Sequence, residues 1–338
     1  MPDAFRDNLL PDQDCRGSGS RLRVGVLSNP RSGGNRKGGK GIRRVLAQWP
    51  EVMHRDAMTP EEVSEALADF ARNGIELVVV NGGDGTVQAT LTAIGNEGMF
   101  SRTPLLALLC SGTTSMLPRD VGFSCSPAAA LPRILNWAES TDSSLVIRHR
   151  PVLRVQRSSG QPQLFGMFFG AGAICQGIRL FHGRDNVRGW RGQFMPAFTM
   201  FRLFLSILSG RPGAISPLLA RTRLDNLPVG ESSNLLILTS TLERLFLGMR
   251  PFWGDSGGPL HYTAVGNEPK RLLTVLAALM FNRACRQVIP ENGYFSHDVH
   301  EVQLEMRGEF TLDGELYEAG EGPVTILPAG PVPFLCLR

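Results

Sequence analysis

Long hydrophobic runs are missing from this 338-residue chain. No uncharged apolar stretch approaches the roughly 18 residues needed to cross a bilayer. Phe194 to Leu208 comes nearest, and Arg202 interrupts it. A helical membrane span is therefore not expected. Charge of one sign is also scarce: 35 Lys and Arg stand against 31 Asp and Glu, a formal net charge of +4. The block-basic character of a dedicated nucleic-acid binder is absent, and no nucleic-acid partner is expected. The six cysteines, Cys15, Cys110, Cys125, Cys175, Cys285 and Cys336, form no C-x-x-C pair. That spacing argues against a disulfide framework and a zinc site, and reduced thiols are expected. The first residues carry Asp3, Asp7, Asp12 and Asp14 and no apolar stretch longer than Leu9-Leu10. They lack the basic and hydrophobic regions of a secretory signal, so cytoplasmic residence is the expectation.

With 42% hydrophobic residues, the chain is long enough for two domains with real cores. Residues 1–20 are polar and read as a flexible arm. From Leu22 strand and helix signals alternate. Leu22 to Ser28, Ile75 to Val80 and Pro104 to Cys110 are short apolar runs of the kind buried in a parallel sheet. Gly38 to Gln48 carries Ile42, Val45 and Leu46 at helical spacing. Thr59-Pro60-Glu61-Glu62 combines an N-cap threonine, a proline at the first helical position and a glutamate three residues after the cap. A helix is expected there, stopped by Asn73-Gly74, and another is expected from Ser126-Pro127. This rhythm predicts a doubly wound α/β nucleotide-binding domain with a mostly parallel sheet over residues 21–143. Residues 144–338 change texture, with alternating segments at Val152 to Val155, Leu164 to Phe169, Leu235 to Thr239 and Val299 to Leu304. They predict a β-rich, sandwich-like second domain, interrupted by apolar helical stretches at Met195 to Leu208 and Lys270 to Phe281.

Three glycine-rich loops follow predicted strands of the first domain: Asn29-Pro30-Arg31-Ser32-Gly33-Gly34, Asn81-Gly82-Gly83-Asp84-Gly85-Thr86 and Ser111-Gly112-Thr113-Thr114-Ser115. In a parallel α/β sheet, ligands sit off the carboxyl ends of the strands, so the three loops are expected to share one crevice. Glycine lets backbone N–H groups approach a phosphate, the following helix N-terminus adds partial positive charge, and hydroxyls supply further donors. Neither G-x-G-x-x-G nor G-x-x-x-x-G-K-[ST] occurs in these loops, which disfavours a dinucleotide fingerprint and a Walker-type site. Asp84, an aspartate among small residues, can order the loop or reach metal and substrate. Asp313-Gly314-Glu315, read by itself, is a hairpin turn between Glu309 to Leu312 and Leu316 to Glu318.

Together, Asn29 to Gly33, the pentad Gly82 to Thr86, Gly112-Thr113 with Arg119-Asp120-Val121-Gly122, and the late Asp313-Gly314-Glu315 resemble the catalytic domain of the diacylglycerol kinase and sphingosine kinase family, particularly its soluble bacterial lipid-kinase members. The resemblance implies ATP-dependent phosphorylation of a lipid hydroxyl with Mg2+. Nucleotide contacts would come from Asn29, Pro30, Arg31, Ser32, Gly33, Gly82, Gly83, Asp84, Gly85, Thr86, Gly112 and Thr113. It further implies catalytic roles for Asp84, Asp313 and Glu315, with Glu315 accepting the hydroxyl proton, and Asp255 as a metal ligand. Phosphoryl transfer asks for in-line positioning, charge neutralisation and a base, and a carboxylate suits the last role. The chain departs from the family pattern at Gln88-Ala89, where Asn-Glu is usual, and at Ser115, where asparagine is usual. An expected threonine falls by spacing at Ala57.

A bilayer substrate requires access to a surface. Between Arg179 and Arg211, six arginines face only Asp185 and are interleaved with Phe181, Trp190, Phe194, Phe198, Phe201 and Phe204. That composition suits an anionic lipid interface, or equally a core helix with solvated arginines. The expectation is a cytoplasmic enzyme peripherally associated with the inner face of the membrane, with homodimerisation open. Diacylglycerol is the first substrate expected. Ceramide or a sphingoid base, a soluble substrate as in NAD kinases, and a nucleotide- or lipid-binding protein without turnover are the alternatives.

Overall fold

Among the described residues, strands pair in parallel in the N-terminal part of the chain and mostly antiparallel after it. The computed structural model describes residues 21–111, 123, 125–139, 145–157, 160–182, 216–225, 227, 230–245, 248–254, 257–280, 283 and 285–337. The chain divides into two compact units, one running to Val152 and rejoined by Ala329–Arg338, the other spanning Leu153–Pro328.

In the first unit the order is β1 (Val24–Ser28), α1 (Asn35–Leu46), β2 (Met53–Asp56), α2 (Pro60–Arg72), β3 (Leu77–Gly82), α3 (Asp84–Glu97), β4 (Leu105–Cys110) and α4 (Pro127–Glu139). The strands lie in the spatial order β2-β1-β3-β4, all parallel. Alternation along each strand assigns the two faces. Val24 and Val26, Leu77 and Val79, and Leu105, Ala107 and Leu109 share a core with Ile42 of α1 and with Leu131, Ile134 and Leu135 of α4. The opposite face takes α2. Phe70 lies so close to Gly25 that a Cβ there would sit 3.0 Å from its ring, so the strand must be bare at that point. Helix α2 begins where the sequence predicts, with Thr59 Oγ1 accepting from Glu62 N at 3.2 Å. It ends at Gly74, whose φ of +64° suits glycine. With helices on both faces of a parallel sheet, the doubly wound reading holds.

The sequence reading places everything after residue 143 in the second domain, but the last ten residues belong to the first unit. Strand β15 (Val324–Leu337) starts in the second unit and ends beside β4, in parallel, with Phe334 opposite Leu106. The reason is burial: Phe334 and Leu335 are fully buried, the latter in the first unit's core. Strand β5 (Leu145–Gln156) carries the chain in the outward direction.

The second unit is antiparallel. Strands β6 (Leu164–Gly166), β7 (Phe168–Gly172), β8 (Leu218–Leu224), β9 (Glu231–Ser240), β10 (Leu260–Gly266), β11 (Tyr294–Val299), β12 (Val302–Met306), β13 (Glu309–Leu312) and β14 (Glu315–Glu318) join it. Residues from β5 to β13, with Val324 and Ile326 of β15, make one apolar core, and the stacked pair Phe169 and Phe310 lies within it. Helices α5 (Ala173–His182) and α6 (Leu272–Met280) also belong to this unit. The expected apolar helix at Lys270 to Phe281 is α6, whereas the one at Met195 to Leu208 lies outside the described residues. No helix among the described residues is long and apolar enough to cross a membrane.

Candidate nucleotide and transfer site

Each of three buried apolar strands closes on a polar residue: Ser28 is the last of β1, Asn81 the next to last of β3, and Ser111 follows β4, all 5% exposed or less. A buried polar group needs a partner, and these three supply one another. Asn81 Nδ2 donates to Ser28 Oγ at 3.0 Å, and Ser111 Oγ donates to Asn81 Oδ1. His54 Nε2 of β2 lies 3.0 Å from Ser28 Oγ. Burial holds the His54 imidazole below its ordinary pKa, with Asp56 opposing and Arg43 and Arg55 reinforcing the shift.

The first loop hangs on this frame. Asn29 N donates to Asn81 O at 2.9 Å, and Asn29 Nδ2 donates to Thr86 Oγ1 at 3.0 Å. Asn29 Oδ1 accepts from Arg31 N at 2.9 Å, and its carbonyl accepts from Ser32 Oγ at 2.9 Å. Asn35 Nδ2, at the start of α1, bridges the carbonyls of Asn29 (2.8 Å) and Asn81 (3.0 Å). Gly34 N reaches across to Ser111 O at 2.8 Å, so the first and third loops touch directly. The first and second loops share one rim, and Ser111, the first residue of the third, joins it. Gly112, Thr113 and Ser115 lie outside the described residues. Pro30 is half-buried, while Arg31 and Gly33 are exposed at the rim.

The pentad is tighter than a loop. Gly82 is still in the sheet, paired with Cys110; Gly83 is the N-cap of α3; and Asp84, Gly85 and Thr86 form its first turn. A Cβ at Gly82 would stand 2.5 Å from the Thr86 Cβ, so glycine is dictated by the helix folding back on the strand end. The strand therefore delivers the helix N-terminus, with its partial positive charge, straight to the carboxyl edge of the sheet. Asp84 is 6% exposed in that first turn. This edge lies between β1 and β3, neighbours whose connections leave on opposite faces, which is the switch point where open α/β sheets take ligands. The donors here suit a polyphosphate. Gln88, one of the departures from the family pattern, is buried, and its Nε2 donates to Thr92 Oγ1 at 3.0 Å. Ala57, where a threonine is usual, is buried and donates its N–H to Ser28 O at 2.9 Å.

In the second unit, Asp313-Gly314 is a two-residue hairpin turn joining β13 to β14, with φ of +50° and +95° and Leu312 opposite Glu315. The two carboxylates of the motif are placed differently. Asp313 is 2% exposed, and its carboxylate accepts from Met167 N (3.0 Å) and Phe168 N (2.8 Å), the amides at the break between β6 and β7. Gly166 makes room for it, since a Cβ there would lie 2.5 Å from Asp313 Oδ2. Glu315 is exposed. Asp255, the expected metal ligand, lies outside the described residues. Among the described residues no three His, Cys, Asp or Glu side chains converge as a metal cluster would. Arg179 pairs with Glu309 at 2.5 Å, a partner 130 residues away by number that the local charge pattern does not reveal. The other arginines of that segment lie outside the described residues.

Sequence reasoning names the glycines and Asp84 but assigns no role to Asn81, Ser111, Asn35 or His54. A usable signal exists: each apolar run of the parallel sheet closes on a single Ser or Asn.

Residues 23–145 match the family described as the diacylglycerol kinase catalytic domain. Among solved structures, a diacylglycerol kinase from Bacillus anthracis str. Sterne aligns with a TM-score of 0.59 at 16% identity, covering 94% of this chain and 97% of that one. A candidate diacylglycerol kinase from the same strain aligns with a TM-score of 0.64 at 17% identity, covering 94% and 98%. At these identities the likeness is one of fold. No curated protein sequence matches the chain.

Proposed function

We propose that this chain, which belongs to the diacylglycerol kinase catalytic-domain family through residues 23–145, is an ATP-dependent lipid kinase converting diacylglycerol to phosphatidic acid. The observation that carries the reading is the hydrogen-bonded rim: Asn29, Asn81, Thr86 and Ser111 tie three strand ends together where the α3 N-terminus emerges. In this proposal the α3 N-terminus from Gly83 to Thr86 and the loop from Asn29 to Gly33 cradle the triphosphate, and the exposed Arg31 faces its charge. Gly112 and Thr113 extend the cradle. Glu315 takes the proton of the lipid hydroxyl as its oxygen attacks the terminal phosphorus. The bond from that phosphorus to the bridging oxygen breaks, ADP leaves, and the phosphate monoester remains on the lipid. Asp313 acts as a positioning residue, since its carboxylate fixes the hairpin that presents Glu315.

Magnesium belongs to the proposal as the counterion of the triphosphate. Such an ion needs few protein oxygens beside phosphate and water, which fits a rim that carries the carboxylate of Asp84. When bound, it neutralises charge on the phosphates; Asp255 is proposed as a second protein ligand.

The test is transfer from γ-labelled ATP to diacylglycerol, ceramide and sphingosine in mixed micelles, and to NAD in detergent-free buffer. Label on diacylglycerol is expected. Label on ceramide or sphingosine alone would replace the substrate and keep the lipid-kinase class. Label on NAD alone, or on none of the four, would overturn the class.

A further inference from the structure

Helix α6 breaks the usual rule for a surface helix. Leu272 to Met280 reads Leu-Leu-Thr-Val-Leu-Ala-Ala-Leu-Met, apolar on every side apart from Thr274. A helix of that kind is ordinarily buried all round. Here one face is: Val275 is 2% exposed, and Leu272 and Leu279, three before and four after it, pack with it on Ala173, Leu235, Val265 and Tyr294. The opposite face carries Leu273, Leu276 and Ala277, again at spacings of three and four. Leu273 is 50% exposed and Ala277 is exposed, Leu276 is half-buried at the flank, and the exposed Thr274 is the one polar residue beside them, so the outward stripe is mostly apolar and open to solvent.

The helix is held rigidly at its start. Tyr294 Oη donates to Lys270 O at 3.0 Å, Lys270 N donates to Asn292 O at 3.0 Å, and Val275 N donates to Arg271 O at 3.1 Å. Arg271 has a φ of +55°, a left-handed conformation that an arginine adopts only under such constraint. Between the exposed Glu268 and Glu291 that bracket this segment, the charges have one sign. Lys270, Arg271, Arg283 and Arg286 are all exposed, and no carboxylate occurs between Glu268 and Glu291. Ile289, 42% exposed, closes the segment.

We infer that this stripe is a lipid-contact surface that docks on anionic bilayers, with Leu273, Leu276 and Ala277 entering the interface and the four cations meeting lipid phosphates. Charge selects this occupant. A second copy packed symmetrically on the stripe would set these cations against themselves. The chain's own segment 183–211 is unsuitable for the same reason, with Arg184, Arg188, Arg191, Arg202 and Arg211 against the one Asp185. An anionic headgroup layer above an apolar interior matches both halves of the pattern. The inference deepens the lipid-kinase proposal and rests on it for the choice of a lipid surface, but it is read out without ATP.

The experiment is flotation of the full chain with vesicles of phosphatidylcholine, with and without phosphatidylglycerol. The wild type is expected to float with the anionic vesicles. At about a factor of five per cation near an anionic surface, K270Q/R283Q/R286Q should lower the partition coefficient about 100-fold. Leu273→Gln should lower it about fivefold, with Leu273→Ala as a second variant should Gln lower Tm. Transfer to micellar diacylglycerol should be unchanged in all of them. Undiminished flotation of the triple variant, or equal flotation on neutral vesicles, overturns the inference. Absence of micellar transfer in the wild type would overturn the kinase reading instead and leave the vesicle result standing.

Discussion

Two Asp-Gly dipeptides, one in each unit, look alike in the sequence and do different work. Asp84 opens a helix at the carboxyl edge of a parallel sheet, beside a rim of polar side chains that hold one another. Asp313 occupies a left-handed turn position and commits its carboxylate to two amides left by the break between β6 and β7. The first dipeptide sits where a fold takes ligands; the second braces a hairpin whose exposed neighbour, Glu315, is the residue we propose to meet the substrate proton. A motif residue is thus identified by what its neighbours leave for it to do.

The comparison can be broken by substitution. Asp84→Ala should abolish phosphoryl transfer with little change in Tm; wild-type turnover in that variant would remove Asp84 from the mechanism. Glu315→Gln should lower kcat by about 10²- to 10⁴-fold, the range for losing a general base. Asp313→Ala should act mainly on stability. It leaves the buried amides of Met167 and Phe168 unpaired, at a cost of about 3 kcal/mol, measurable by denaturant unfolding. A loss below about 1 kcal/mol would mean that the hairpin does not depend on this carboxylate. Gly82→Ala must displace Thr86 and should cost about 1–3 kcal/mol by overpacking, with weaker ATP binding, because the Asn29–Thr86 bond moves with it.

The smallest effect concerns pH. The folded-state pKa of His54 lies below its ordinary 6.5, chiefly through burial. The unfolded chain therefore takes up this proton first as pH falls. The contribution to stability is complete above about 6.5 and is lost as pH drops from there through the folded value. His54→Gln should flatten the acid side of a Tm-against-pH curve over that window, and an unchanged slope would show that His54 is not linked to folding.

Much of the first unit is legible because its strands are continuous apolar runs and its second helix carries a full capping signature at Thr59 to Glu62. Strand β2 is not legible: Met53-His54-Arg55-Asp56 is an edge strand with no apolar alternation, specified by its pairing with β1. Strand β15 is hidden by Pro328, Pro331 and Pro333, residues that argue locally against a strand, while its place beside β4 is decided by burial of Phe334 and Leu335. The pentad is legible as a phosphate turn, but the glycine requirement at Gly82 comes from Thr86, which only the fold brings near. Arg179 shows the same limit for charge, since its partner Glu309 is distant in sequence. Local pattern specifies elements; contacts between distant residues specify the site.

The most direct measurement compares ATP affinity by calorimetry with single-turnover transfer for Asn29→Ala and Glu315→Gln. A nucleotide rim in the first unit and a proton acceptor in the second require that Asn29→Ala weaken ATP binding, whereas Glu315→Gln leaves affinity within about twofold and slows transfer by at least about 100-fold. Equal losses of ATP affinity in the two variants, or full transfer by Glu315→Gln, would contradict that division of labour.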